Sequence, residues 1–331
     1  MNMHSALPPS RSPVLPWTML AGLLALAPIF AAAEFPDRPL RVVVPYPAGG
    51  PVDITARALG PKLTEALGQT VVVDNRGGAG GVLGSDIVAK SAPDGYTLLI
   101  CTTANAINAS LLRALPYDMV KDFAPVSLLV IITSVVVVHP SLPINSISDL
   151  IAYAKARPGQ LSYASTGNGT PTHLAAELFK TMTGTDMVHV PYKGASLAVI
   201  DLISNQVQLS FISAPGVVPH LKAGRLRAIA VTNAKRSALL PELPTVAESG
   251  LPGYESEGWH GLFAPARTPQ AVIERLNREF VAALRAPEIS AQLLSGGAEP
   301  VASSAAALGV KLRAEIARWA KVVKAAHMKV D

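Results

Sequence analysis

The chain carries a single cysteine, Cys101, so no disulfide can form within it. Its stability has to come from a packed core. Cys101 ends a predicted strand, Tyr96–Ile100, and reads as a small buried apolar residue rather than a nucleophile. Charge is sparse at 15% of residues, and the formal net charge is +5. No run of five basic residues occurs, and basic residues are not interleaved with aromatics, which argues against a nucleic-acid partner. The catalytic patterns G-x-S-x-G, H-E-x-x-H, G-x-x-x-x-G-K-[ST] and C-x-x-C are all missing. His139, His173, His189, His220 and His260 lack metal-ligand spacing and read as structural histidines, so neither metal nor cofactor is expected. Gly78-Ala79-Gly80-Gly81 fails the G-x-G-x-x-G spacing, because Gly84 falls out of place. Helix–strand packing is the better reading there. After residue 33 no second long apolar helix is found. Val135-Val136-Val137-Val138 is brief, stops at His139-Pro140 and reads as a strand.

What is present is a large apolar fraction, half of the chain, enough for a substantial core. Arg11 is the only charged side chain before Glu34. The stretch Trp17–Phe30 is apolar, and Ala31-Ala32-Ala33 supplies a small-x-small pattern. This is the signature of a secretory signal peptide, residues 1–33, cut after Ala33. The apolar run is short for a spanning helix; an uncleaved anchor is the competing reading.

The most informative stretch is Arg41–Ala56. Arg41-Val42-Val43-Val44 reads as a buried strand. Pro45 and Pro47 stop it, and Gly49-Gly50 lets the backbone turn. Pro51 suits a first helical position and Asp53 a first turn. Strand, bare loop and helix N-terminus in this order offer N–H groups near Ala48 and Gly49 to a small anion. A plain βα turn is the alternative.

Two alternating series follow. The first holds strands at Arg41–Val44, Val71–Val73 and Tyr96–Ile100 with helices between, which predicts parallel βαβ units. Strands at 126–132 and 135–139 come next. A second series runs from the strand Leu161–Ala164 through the loop 165–170, a helix over 171–182 and further strands at 187–190, 207–212 and 226–232. Residues 233–253 read as a long surface connection. A late strand, Gly258–Pro265, precedes the closing helices. The loop after the first strand of each series is glycine-rich, which suggests two similar loops facing across a cleft. No strict repeat is found.

Hydrogen-bonding capacity without nucleophiles is what remains for chemistry. The candidate ligand-binding residues are Tyr46, Pro47, Ala48, Gly49, Gly50 and Asp53 in the first loop, with Thr102, Thr103 and Asn105 after the third strand. Ser165, Thr166, Gly167, Asn168 and Thr170 are their counterparts in the second series, with Ser213 after a later strand. Neutral donors and helix N-termini can hold an anion without lysine or arginine. Ordinary capping hydroxyls are the alternative for any one of them.

The stretches VPYPAGGPVDITAR (44–57), VVDNRGGAGGVLGSDIVAKSAPDGYTLL (72–99), YASTGNGTPTHLAAELF (163–179) and HVPYKG (189–194) together resemble the Bug-type solute receptors of tripartite tricarboxylate transporters. The likeness spans essentially the whole chain after residue 33. It implies an α/β, two-lobed periplasmic binding protein of type II with a ligand cleft between the lobes, and no enzymatic activity. It implies lobe 1 over 34–134 and 260–331 and lobe 2 over 135–259, with Val135–His139 and Gly258–Phe263 crossing as a hinge. The implied role is capture of a small organic carboxylate, gripped by Tyr46–Gly50 and Ser165–Thr170, and delivery to the membrane permease of such a transporter by a monomeric periplasmic protein. A ligand-sensing subunit for a signalling kinase is the alternative, and a hydrolase a weaker one. One departure stands out. The family often reads QVDLMFDN where this chain has QVQLSFIS over 206–213. Ile212 replaces an acid and would present an apolar wall beside the Ser213 hydroxyl, which disfavours ligands that carry an ammonium group.

Overall fold

The computed structural model describes Met1 and residues 35–112, 114–326 and 328; the signal-peptide expectation lies outside its main described stretch. In chain order the first elements are β1 (Leu40–Val44), α1 (Pro51–Leu67), β2 (Val71–Asn75), α2 (Val82–Ala89), β3 (Thr97–Thr102), α3 (Thr103–Leu111) and β4 (Phe123–Ile132). Then come β5 (Ser134–Val138), α4 (Ile147–Ala156), β6 (Ser162–Ser165), α5 (Pro171–Thr183), β7 (Val188–Pro191), α6 (Ala195–Ile203), β8 (Leu209–Ser213), α7 (Val218–Lys222) and β9 (Arg227–Val231). The chain closes with β10 (Gly258–Pro265), α8 (Gln270–Arg285), α9 (Pro287–Ser295), β11 (Ala298–Pro300) and α10 (Ala305–Ala325).

The valine runs form strands β1, β2 and β5, as their β-branching favours. One sheet has the order β11-β4-β10-β3-β1-β2, the other β7-β6-β8-β5-β9. Both repeat one plan. The first strand of each series, β1 or β6, lies between the next two and runs parallel to them. An antiparallel strand from elsewhere in the chain, β10 or β5, then follows. The loops after β1 and β6 are therefore topologically equivalent. Each opens where the strand order reverses, the usual ligand position in open α/β sheets.

Helices cover both faces of each sheet. In the first, α1, α8 and α9 bury Leu59, Leu63, Leu276 and Phe280 on one face. On the other, Ile107, Leu312 and Trp319 of α3 and α10 pack with Leu174 of α5. The second sheet holds Phe179, Phe211 and Tyr254 on one side, and Val135, Leu202, Ile212 and Val217 on the other.

Two elements, α3 and β11, have no counterpart among the sequence expectations, and two expectations change. The segment 103–111 forms a helix. Its N-terminus is closed by a capping box, in which Thr102 accepts from the Ala104 N–H and Asn105 accepts from the Thr102 N–H. Residues 233–253 are not a purely surface connection, since Val246 and Leu251 are buried against the second sheet together with Tyr254. The short strand β11 pairs with the edge of β4. Finally, β5 and β10 each lie wholly within one sheet. The chain changes sheets at Thr133, whose hydroxyl donates to Glu299 Oε1 at 2.5 Å. Asn233 braces this crossing by accepting from the Ser134 N–H (3.0 Å) and donating to the Ile132 carbonyl (3.2 Å).

A buried pair fixes the start of α1 to the sheet. Thr55 Oγ1 donates to the Pro51 carbonyl at 3.0 Å and stands 3.0 Å from His260 Nδ1 on β10. A hydroxyl has one proton, so His260 donates here and carries its proton on Nδ1. Burial pushes the His260 pKa down from 6.5 to about 4. The unfolded chain therefore binds the extra proton first. The contribution is complete above about pH 6.5 and is lost as pH falls toward 4, on the order of 3 kcal/mol. His260→Asn should flatten the acid limb of stability by about that amount, read by urea unfolding between pH 7 and 4.5. An unchanged slope would contradict this.

Candidate functional site

The first loop, Tyr46–Gly50, leaves β1 and is pinned at three points. The Tyr46 hydroxyl lies 2.9 Å from Thr102 Oγ1 at the end of β3. Burial raises its pKa, so it stays a phenol. The Tyr46 carbonyl accepts from Asn75 Nδ2 at 3.1 Å. The Gly49 N–H donates to Asp53 Oδ2 at 2.8 Å. Asp53 also takes both oxygens to Arg57 Nε, at 2.9 and 3.0 Å, and Arg57 Nη2 donates on to Asn75 Oδ1. Burial alone would raise the Asp53 pKa, but the bonds from Arg57 and Gly49 outweigh it and hold the carboxyl below its ordinary value. The Gly49 N–H expected to be free is thus engaged by Asp53. Pro47, Ala48 and Gly49 are exposed.

The second loop, Ser165–Thr170, leaves β6. Ser165 Oγ accepts from the Gly167 N–H (3.1 Å) and sits 2.6 Å from His189 Nε2. Thr172 Oγ1 accepts from the Thr166 N–H at 2.8 Å and lies 3.0 Å from the Thr166 and Thr170 hydroxyls. Thr170 Oγ1 donates to the Gly167 carbonyl at 2.7 Å. The Gly169 N–H donates to His173 Nδ1 at 3.1 Å. Asn168 is exposed.

The two loops share a five-residue device, Gly49-Gly50-Pro51-Val52-Asp53 and Gly169-Thr170-Pro171-Thr172-His173. In each a left-handed glycine (φ +80° and +72°) precedes the N-cap residue. Proline follows at the first helical position, and the third helical residue reaches back to accept the glycine N–H four residues earlier. Neither N-cap makes a side-chain capping bond. The first-turn N–H groups of α1 and α5 therefore point into the loops without a local side-chain partner, and the helix dipole adds partial positive charge there.

The remaining candidates divide. Thr102 joins the first loop through Tyr46. Thr103 and Asn105 are buried: Thr103 bridges the Glu257 carbonyl and the Trp259 N–H, and Asn105 donates to Ser85 Oγ. They hold the end of β3 in place. Ser213 is exposed at the end of β8, opposite Ser134 at the crossing. Ile212 does not form a wall beside it; it is 2% exposed and packs in the core. Among the described residues no direct hydrogen bond links the first loop to the second. The residues that sequence reasoning passed over are Arg57, Asn75, Thr172, His173 and His189. The repeated Gly-x-Pro-x-acceptor spacing was the signal that could have found Asp53 and His173 as a pair.

Residues 55–328 match the family model for the tripartite tricarboxylate transporter family receptor. The chain belongs to this family. Protein BugT of Bordetella pertussis strain Tohama I is 40% identical to this receptor over 300 residues, covering 90% of this chain and 92% of BugT. Among solved structures, Rpa4515 of R. palustris with adipate is 40% identical, with a TM-score of 0.75 over 89% of this chain and 99% of that one. The periplasmic binding protein BugD is 35% identical, with a TM-score of 0.72 over 89% and 99%. The receptor has the two-lobed α/β fold of these binding proteins, with the ligand cleft between its lobes, and it is a solute-binding protein rather than an enzyme.

Two glycines near the first loop are needed for different reasons. A Cβ at Gly49 would meet nothing within 4 Å, but φ is +80°. At Gly84 a Cβ would lie 2.7 Å from the Arg76 carbonyl oxygen and 2.8 Å from Pro45 Cα, both rigid backbone. Gly49→Ala should cost roughly 1 kcal/mol of strain, and Gly84→Ala about 2–3 kcal/mol through forced separation of α2 from the loop. Denaturant midpoints give the order; a reversal would refute it.

Proposed function

We propose that this receptor captures a small organic carboxylate between its lobes and delivers it to the membrane permease of a tripartite tricarboxylate-type transporter. In this reading the protein is a monomer in the periplasm, exported by cleavage after Ala33. Lobe 1 comprises 34–134 and 260–331, and lobe 2 comprises 135–259. The carboxylate is held by Tyr46–Gly50 with Asp53 as the orienting group, and by Ser165–Thr170, with Ser213 near the crossing. Thr102, Thr103 and Asn105 support the first loop from behind.

The observation that carries the reading is the matched pair of uncapped helix N-termini at equivalent places in two equivalent sheets. Such termini favour negative charge. The adipate in the related Rpa4515 structure supports a carboxylate as the class of ligand. Asp53 is the only carboxylate among the candidate residues, and it is 3% exposed and occupied by Arg57 and Gly49. A ligand ammonium would find no unspent acid there, and an unpaired buried charge is too costly to keep.

Calorimetric titration with adipate, succinate, benzoate, aspartate and glutamate tests this. Binding of one or more plain acids is expected, with at least tenfold weaker binding of the two amino acids, about 1.4 kcal/mol. Tight binding of aspartate or glutamate alone would sink the ammonium argument. Gly49→Val should weaken a bound acid by a similar factor, and unchanged affinity would move the ligand away from the first loop.

A further inference from the structure

Two imidazoles lie directly behind the second loop. The rings of His173 and His189 stack with centroids 3.8 Å apart and planes inclined by 11°. The Tyr163 ring stacks with His189 at 4.9 Å and lies 6.4 Å from His173, so the three rings form one cluster. His173, on the first turn of α5, has a side chain that is 12% exposed. The two histidines hold the loop from two elements. His189, on β7, meets Ser165 Oγ, and His173 accepts the Gly169 N–H.

That second bond fixes the tautomer. A neutral imidazole has one donor nitrogen and one acceptor nitrogen. Nδ1 accepts a main-chain N–H, so the proton sits on Nε2, which lies 4.0 Å from Glu177 Oε1. A second proton on Nδ1 would set donor against donor and break the bond to Gly169.

We propose that His173 is a positioning residue for the ligand site: as the neutral Nε2–H tautomer, stacked on His189, it holds Gly169 in its left-handed conformation and so aims the main-chain donors that open α5. It is the counterpart of Asp53, with a neutral ring in place of a carboxylate. The role in binding rests on the assignment of the second loop to the ligand; the tether itself does not.

The surroundings keep the ring neutral. On α5, Glu177 is saturated by Lys180 (2.8 Å) and by the Tyr163 hydroxyl of β6 (2.5 Å). His189 on β7 stacks against the ring. On α10, which packs against α5, Lys311 and Arg318 are paired with Glu255, Glu257 and Glu315. Burial, then the neighbouring His189, lowers the His173 pKa to about 4, against the pull of Glu177. The tether therefore survives at pH values where an ordinary histidine is charged.

The test compares wild type, His173→Leu and His173→Asn, the last retaining an acceptor close to the Nδ1 position. Amide exchange of the segment 165–172, measured by mass spectrometry without ligand, reads the tether. Calorimetry with adipate reads its effect on binding. His173→Leu should exchange at least tenfold faster in this segment and bind adipate at least tenfold more weakly, while His173→Asn should recover most of both. Unchanged exchange in His173→Leu, or equal impairment in both variants, would overturn the proposal. Nitrogen NMR of the wild type gives an independent reading should the leucine variant fail to fold, and an Nδ1–H tautomer at His173 would overturn the proposal too. Wild type that ignores adipate and the other acids would count against the carboxylate-receptor reading, while exchange and NMR would still decide the tether.

Discussion

An anion held by main-chain N–H groups places its demand on backbone geometry. A side chain can swing to meet a ligand, but a peptide N–H points where φ and ψ aim it. Glycine-rich loops are the least suited to keep such an aim, because glycine has the most conformational freedom to lose. Gly49 and Gly169 are each restrained by one hydrogen bond that their N–H donates to an acceptor four residues ahead. The proline between glycine and acceptor presets the helical φ and contributes no competing N–H. Much of the neighbouring structure serves these two bonds. Arg57 and Asn75 hold Asp53 and Tyr46. The Tyr163–His189 stack backs His173.

The same economy is visible where the two sheets meet. Thr133 is fully buried at a crossing only one residue long, and Glu299 collects bonds there from both Thr133 and Ser237. Lys311 of α10 reaches Glu257 at 2.6 Å, just before β10. Leu174, one residue beyond His173, packs into the core of the first sheet. The helix that carries the second-loop acceptor thereby packs against α3 and α10, the helices that cover the sheet carrying the first loop. The two candidate loops thus share an apolar seam, the cluster in which Leu174 meets α3 and α10.

Much of the architecture was legible from hydrophobic runs and turn residues. Val42–Val44 and the Pro51 and Pro171 helix starts gave strand and start signals with clear mechanisms. The missing helix 103–111 has the sequence TANAINASL, in which Thr, Asn and Ser, weak helix formers that also favour turns, alternate with its three alanines. It exists because Thr102 and Asn105 close its N-terminus and Ile107 and Leu111 find α10. Ile212 looked like a specificity residue in comparison with the family, but both faces of β8 are covered, so alternation could not say which neighbour was exposed. The candidate loops themselves were legible, while their internal bonding was not. Asp53 is legible as a first-turn acid and the shared Gly-x-Pro-x-acceptor spacing pairs it with His173, but the bond each makes to its glycine N–H shows only in the folded loops.

Cys101 is fully buried within β3, opposite Gly261 of β10, and burial drives its thiol pKa upward. A thiol so placed is inert toward alkylating reagents until the strand parts from its neighbour. Its chain neighbour, Thr102, ties the first loop to α3. The molecule thus contains a single internal clock: each alkylation event at Cys101 counts an excursion in which the first sheet has come apart at the base of the loop, while openings confined to the second sheet leave no mark.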